Sequence, residues 1–160
     1  DRSPSRGLGD VYKRQVLVGF RNILKYYDSL RRRVCKQHSL SQTEFDVLAF
    51  LGNNPGLDTA RDIVELRMLP KSNVSVAVES LIQRGLLCRR QDTADRRRIH
   101  LSLTNSAAPL LEDVLAVMPR FTACALSGFT AEETHDFEQF YYRIAQNISL
   151  CLQKEGTLHE

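Results

Sequence analysis

Three consecutive guanidiniums, Arg96, Arg97 and Arg98, follow Asp95 in a polar stretch of this 160-residue chain. Like charges at that spacing repel, so they either disperse to opposite sides or meet an anion. Arginine suits the second outcome, because its planar fork pairs bidentately with carboxylate and phosphate oxygens. Asp95 can hold one fork in this way while the others reach phosphates. Taken alone, an exposed charge run is more often a solvated face. A second polar group, Lys71, Ser72, Asn73 and Ser75, begins 25 residues before Arg96, next to Pro70. Asn73 can pair with an adenine edge, Ser72 and Ser75 with bases or phosphates, and Lys71 with a phosphate. The same residue types are also ordinary caps at a solvated helix start.

Catalytic chemistry finds little support. His38, His100, His135 and His159 form no His-Glu-x-x-His pattern, and neither a Gly-rich phosphate loop nor a Gly-x-Ser-x-Gly turn occurs. Cys35 and His38 lie close in sequence, a weak signal for a nucleophile or a metal site. Arg31, Arg32 and Arg33 precede Cys35 and favour its thiolate, although a quiet thiol is the commoner case. The expectation is a protein that is not an enzyme and needs no cofactor or metal.

Across the whole chain, 42% hydrophobic and 26% charged residues describe an ordinary globular composition, one domain or two small lobes sharing a core. No apolar run is long enough to span a membrane. Cys35, Cys88, Cys124 and Cys151 are scattered without a Cys-x-x-Cys pair, so a disulfide scaffold is excluded and a cytoplasmic location is expected. Residues 1–15 show no apolar periodicity, and Asp10–Gln15 back-translates to a string resembling the end of a transposase-based sequencing adapter. The segment is read as an artefact and set outside the fold. Without it the formal charge falls from +3 to +1, so overall basicity says nothing about partners. Distribution says more: residues 55–104 carry a net +3 and residues 105–160 a net −5, two surfaces suited to different partners.

The elements that position these residues follow from periodicity. Val16, Phe20, Ile23, Tyr27, Leu30 and Val34 form one helical stripe. Ser41 and Glu44 make a capping box, with Leu40 and Phe45 as a staple, and Asn53-Asn54-Pro55-Gly56 ends that second helix. Thr59 caps a short helix from Ala60 to about Arg67; Pro70 suits the first turn of a fourth, which turns Val74, Val78, Leu81 and Ile82 inward and ends at Gly85. Period two on both sides of residues 92–96 predicts a β-hairpin. Helix returns through Leu111, Val114, Leu115 and Met118, with a kink or break near Pro119. Thr130 and Glu133 cap a last helix bearing Phe137, Phe140, Tyr141, Ile144, Ile148 and Leu152. A short helix, a tight turn, a second helix and a cationic hairpin make a winged helix-turn-helix: one helix fits the major groove and the hairpin a neighbouring minor groove.

The segment Thr59–Thr104 resembles the winged-helix core of the MarR family of bacterial regulators. The matching features are Lys71-Ser72-Asn73-Val74-Ser75, the helix end Leu81–Leu87, Asp95-Arg96-Arg97 in the wing and Leu101-Ser102-Leu103-Thr104 after it. The helix start Leu40–Phe45 is similar as well, and the resemblance extends over residues 16–152. Val76 and Asn105-Ser106-Ala107 depart from the family pattern. The resemblance implies an obligate homodimer whose first and last helices intertwine while two winged lobes read a pseudo-palindrome. It also implies a small aromatic or amphipathic effector between the dimer and DNA lobes, where Tyr26, Tyr27, His38 and Phe45 fall by position. Those four read more readily as ordinary core aromatics and a surface histidine. Some relatives sense peroxide through a cysteine early in the first helix; Cys35, at its end, does not match.

The expected fold is therefore mainly α with a small β-hairpin wing: dimerisation helices at 16–38 and 106–155, and a DNA-binding domain at 40–104. The expected function is a ligand-responsive repressor, with double-stranded DNA and a second copy of the chain as partners. DNA contacts are assigned to Lys71, Ser72, Asn73, Ser75, Arg96, Arg97 and Arg98. The competing reading is a helical dimerisation or adaptor protein that keeps the fold without specific DNA binding.

Overall fold

The computed structural model describes the backbone of residues 5–156 and the side chains of residues 14–153. Helices α1 (Ser5–His38), α2 (Gln42–Asn53), α3 (Ala60–Arg67) and α4 (Lys71–Gln83) precede strands β1 (Leu87–Gln91) and β2 (Ile99–Leu103). A 3-10 turn at Asn105–Ala107 leads into α5 (Ala108–Ala125) and then α6 (Ala131–Gly156). The chain divides into two compact units, residues 1–121 and 122–160. Among the described residues no helix is long and apolar enough to cross a membrane.

In the first unit the helix starts are set locally. The Ser41 hydroxyl accepts the Glu44 N–H at 3.1 Å and the Glu44 carboxylate accepts the Ser41 N–H at 2.6 Å. Thr59 and Asp62 repeat the arrangement at α3. Pro70 is the N-cap of α4, one position earlier than the first-turn place expected, and Lys71 is the first helical residue. Gly85, at φ +70°, ends the helix: its N–H reaches the Ile82 carbonyl and the Leu86 N–H reaches Leu81, a Schellman closure that needs a left-handed residue. Gly52 has a different role. A Cβ there would stand 2.9 Å from Leu115, so its absence lets α5 lie close on α2. Phe45, Leu48 and Phe50 from α2, Ile63 from α3, Val74 and Leu81 from α4 and Val114 from α5 form the centre of the core.

The hairpin pairs Leu87 with Leu103 through Gln91 with Ile99 in antiparallel register. Its outer edge is not bare. The Leu101 N–H bonds the Asp58 carbonyl at 2.7 Å and Thr59 bridges His100, so the segment before α3 adds a third rung.

Of the segment 1–15, residues 1–4 lie outside the described residues, and α1 begins at Ser5, ahead of the stripe that starts at Val16. One expectation about helices is corrected. Pro119 does not break α5, which runs on to Ala125. The proline is exposed and only withholds one donor from the carbonyl a turn earlier. The α1 stripe also divides: Leu30 and Val34 are buried, whereas Val16, Phe20 and Ile23 are exposed.

In the second unit, Thr130 and Glu133 form the expected capping box. Phe137 packs between Phe129 and Tyr141, edge-on at 6.5 Å and stacked at 6.0 Å. The rest of the α6 stripe is open, with Phe140 and Ile144 each 58% exposed.

Glu44 joins these local devices together. Beyond its cap, it accepts the Ser80 hydroxyl of α4 at 2.6 Å and faces Arg84 at 3.7 Å. Burial acts to raise its pKa, yet the bonds from Ser80 and Ser41 and the Arg84 charge outweigh burial and hold it below the usual range. Stability from a lowered carboxyl is present above its unfolded pKa and is lost as pH falls through the folded value. Replacing Glu44 with Ala therefore lowers unfolding stability at neutral pH by about 1–3 kcal/mol. The loss is read as a fall in the urea midpoint at fixed chain concentration, and the variant's acid limb is flatter.

Candidate nucleic-acid interface

Burial of Val74, Ala77, Val78 and Leu81 dictates which side of α4 faces out. Lys71, Ser72, Asn73, Ser75, Val76 and Glu79 are exposed there. The side chains of Lys71, Ser72, Asn73 and Ser75 form no hydrogen bond or ion pair with another described residue, which leaves their polar atoms available to a ligand. Val76 is 71% exposed among them. This departure from the family pattern gives the face one apolar methyl pair, suited to a thymine methyl.

The hairpin tip is built by carboxylates accepting backbone N–H groups. Asp92 Oδ1 accepts those of Ala94 and Asp95 at 2.7 and 2.9 Å. Asp95 Oδ1 accepts that of Arg97 at 3.0 Å, and the Arg98 N–H returns to the Asp95 carbonyl. Gln91 Nε2 donates to the Arg96 carbonyl at 2.6 Å. The expected bidentate bond from Asp95 to an arginine is corrected here, because the turn geometry engages that carboxylate with main chain. Arg96, Arg97 and Arg98 are all exposed and form no ion pair with another described residue. They are not equivalent. Arg97 and Arg98 line a groove of about 700 Å³ against Thr59, Arg61, Asp62 and Glu65 of the α3 start. There the Thr59 hydroxyl first, and the Arg98 charge after it, keep Asp62 below the ordinary carboxylate range.

Three features were not singled out from the sequence. Arg89 pairs with Glu79 and so ties β1 to α4. Arg90, the next residue along the strand, is exposed with no such tie; strand alternation is the signal that separates the two. His100 lies between two carboxylates, its Nδ1 2.7 Å from Asp58 and its Nε2 2.9 Å from Asp92. Nothing in the local pattern announces that contact.

The four residues placed at an effector cleft have separate surroundings. Tyr26 and Tyr27 pack on Phe121 at 6.1 and 5.6 Å. His38 bonds Asp113 of α5 at 2.8 Å. Phe45 is 2% exposed, in the core under the Arg31 guanidinium. Among the described residues no three metal-binding side chains cluster.

Comparison with known proteins places this geometry. A model of the MarR family matches residues 38–98, from the end of α1 to the wing arginines. YkoM, an uncharacterized HTH-type transcriptional regulator of Bacillus subtilis, is 30% identical over 101 residues. Over residues 38–98 the chain is similar to the MarR family. The YkoM match covers 63% of this chain and 65% of YkoM, just under two thirds of that relative's length. Among solved structures of the fold, Bordetella bronchiseptica BpsR, whose DNA binding is regulated by 6-hydroxynicotinic acid, is 22% identical. It covers 82% of this chain and 98% of its own, with a TM-score of 0.62. A point mutant of S. aureus MepR, bound to an oligodeoxyribonucleotide, is 19% identical over 83% of this chain and 97% of its own, with a TM-score of 0.56. The MarR match ends inside the wing, so it covers the helix-turn-helix and not the long terminal helices.

Cys35 bears on the redox chemistry considered from sequence. Burial pushes its thiol up, and Arg31 offsets this only in part. The preceding arginines therefore do not yield a thiolate. Iodoacetamide at neutral pH should label the exposed Cys88 at least about tenfold faster than Cys35 in the folded chain, as peptide mass spectrometry would show; equal rates would restore a reactive Cys35.

Proposed function

We propose that this chain is a sequence-specific, ligand-responsive transcriptional repressor of the MarR family that binds a pseudo-palindromic operator as a homodimer. One observation carries the reading. The outward edge of α4 and the wing tip both present polar or cationic groups without partners among the described residues, whereas Arg31, Arg84 and Arg89 are engaged within the chain. In this reading α4 enters the major groove, with Asn73 on a base edge, Val76 on a thymine methyl, and Lys71, Ser72 and Ser75 on backbone or base. Arg96 and Arg97 reach the flanking minor groove or its phosphates, with Arg98 beside them at the α3 groove. Residues 40–104 form the reading head.

Residues 16–38 and 106–155 supply the dimer surfaces. Phe20, Ile23, Phe140, Ile144 and Ile148 are more than half exposed in the single chain, and a second copy would cover them. MepR with its oligonucleotide and BpsR with its aromatic acid support DNA and a small aromatic effector as ligands of this chain too. Tyr26, Tyr27 and His38 lie where α1 meets α5, so an effector wedged there would separate the two helices; Phe45 would take part only if the core opened. Such a protein works in the cytoplasm, where its DNA is.

Fluorescence anisotropy on the gene's own upstream duplex and a scrambled one, at two salt concentrations, tests the reading. The upstream duplex is preferred by roughly a thousandfold. Replacing Arg96 and Arg97 with Ala weakens both and lowers the salt slope by about 1 for each phosphate no longer neutralised. Asn73→Ala costs about 1–3 kcal/mol on the upstream duplex only. A folded chain that binds neither duplex would instead be an adaptor. Separately, sedimentation velocity should find a dimer that Ile144→Glu converts to monomer.

A further inference from the structure

His100 is placed where a neutral imidazole cannot satisfy its surroundings. Its Nδ1 is 2.7 Å from Asp58 Oδ1 and its Nε2 is 2.9 Å from Asp92 Oδ2. Both carboxylate partners are acceptors when ionised, and a neutral ring carries one N–H only. Both contacts are hydrogen bonds together only if the ring is an imidazolium. The same Asp92 carboxylate holds the wing turn with its other oxygen, through the N–H groups of Ala94 and Asp95. Asp58 belongs to the segment that opens α3 and that hydrogen-bonds β2 through its carbonyl. One protonated ring thus connects the base of the helix-turn-helix to the turn that displays Arg96 and Arg97.

We propose that His100 is a positioning residue for DNA binding: as an imidazolium it latches the wing tip to the start of α3, and its deprotonation releases the tip. This rests on the DNA-binding reading above. The latch gives that reading a pH dependence, since a free tip must be ordered again each time its arginines engage a phosphate or groove.

The groups facing the ring set the direction. Asp92 in the wing turn and Asp58 before α3 favour its charge; Arg90, its register partner on β1, is the cation opposite, and Thr59 meets it through backbone. The carboxylates prevail, Asp92 first and Asp58 second, and raise the His100 pKa above the ordinary value. Asp92 itself is held far below the carboxylate range, first by the Asp95 N–H and then by His100, so it stays ionised throughout. A raised histidine contributes fully below its unfolded pKa of about 6.5, and the contribution is lost as pH rises through the folded value. The wing is therefore ordered on the acid side and loosened on the alkaline side.

The experiment uses the full chain and has two readouts. Two-dimensional NMR from pH 6 to 9 follows the His100 ring together with the Ala94, Asp95 and Arg97 amides. Anisotropy follows affinity for the upstream duplex over the same range. The expected result is that the three amides titrate with the ring, and that affinity falls about tenfold across that pKa beyond any change in His100→Gln. His100→Gln starts weaker and is flat over the range. Asp92→Asn provides the discriminating rescue. Its Oδ1 still caps the turn, and its Nδ2 can donate to a neutral His100 Nε2, so the alkaline loss disappears while binding persists.

Amides that ignore the ring's titration overturn the latch whether or not DNA binds. Amides that titrate, with duplex affinity changing identically in wild type and His100→Gln, overturn its role in binding. A titrating wing in a folded chain that binds no duplex leaves the latch standing and removes the DNA-binding reading, and with it the positioning role.

Discussion

A carboxylate with 6% of its surface exposed governs how this chain presents α4. Glu44 could not remain ionised there without donors, because removing a charge from water costs several kcal/mol even after relaxation. Its donors come from two directions. The Ser41 N–H belongs to its own helix start, whereas the Ser80 hydroxyl and the more distant Arg84 belong to the far end of α4. Meeting the charge therefore fixes the C-terminal half of α4 against the start of α2. The other half, carrying Lys71 to Ser75, is held by its apolar underside alone and keeps its polar edge free.

The cations divide in the same manner. Arg31 bonds Asp46 and Gln42 and lies over Phe45, locking α1 to α2. Even so, burial wins over Arg31 at Asp46 and raises that carboxyl, so this pair orients helices more than it stabilises them. Arg84 donates to the last carbonyls of α1 and Arg89 pairs with Glu79. On the hairpin, by contrast, Arg90, Arg96, Arg97 and Arg98 form no ion pair with another described residue. A formal charge near neutrality is thus compatible with a strongly cationic hairpin, because the carboxylates nearest the wing accept backbone N–H groups or imidazole.

This division also explains what could be read from sequence. The capping boxes at Ser41, Thr59 and Thr130, the Gly85 helix end and the hairpin register are local, each decided within a few residues. The exposed edge of α4 follows from the spacing of its buried residues, and the wing arginines from their turn. By contrast, Glu44 with Ser80 and Asp58 with His100 join residues 36 and 42 apart, and no periodicity encodes which polar side chain another will meet. Asp95 departs from its expected partner for a related reason. Its identity permits an arginine partner, but a tight turn supplies backbone donors at no entropic cost and takes the oxygen first. Pro119 breaks an isolated helix, while an exposed position within a packed one absorbs a single missing donor.

The link between α1 and the helices that follow it is correspondingly short. α1 ends at His38, whose ring bonds Asp113 on α5 and whose carbonyl accepts from Arg84 on α4. Ser39 follows at φ +51°, a left-handed conformation costing a non-glycine residue about 1 kcal/mol, and Arg84 bonds its carbonyl as well. A strained residue held between two helices by one guanidinium is a joint rather than a flexible linker. Moving α1 relative to α5 must either break the bond from His38 to Asp113 or carry the Ser39 carbonyl, and with it Arg84, along. Arg84 follows the end of α4 that Glu44 holds through Ser80, so α1, α2 and α4 meet at this joint. The free polar edge at Lys71–Ser75 lies at the opposite end of α4, away from this joint.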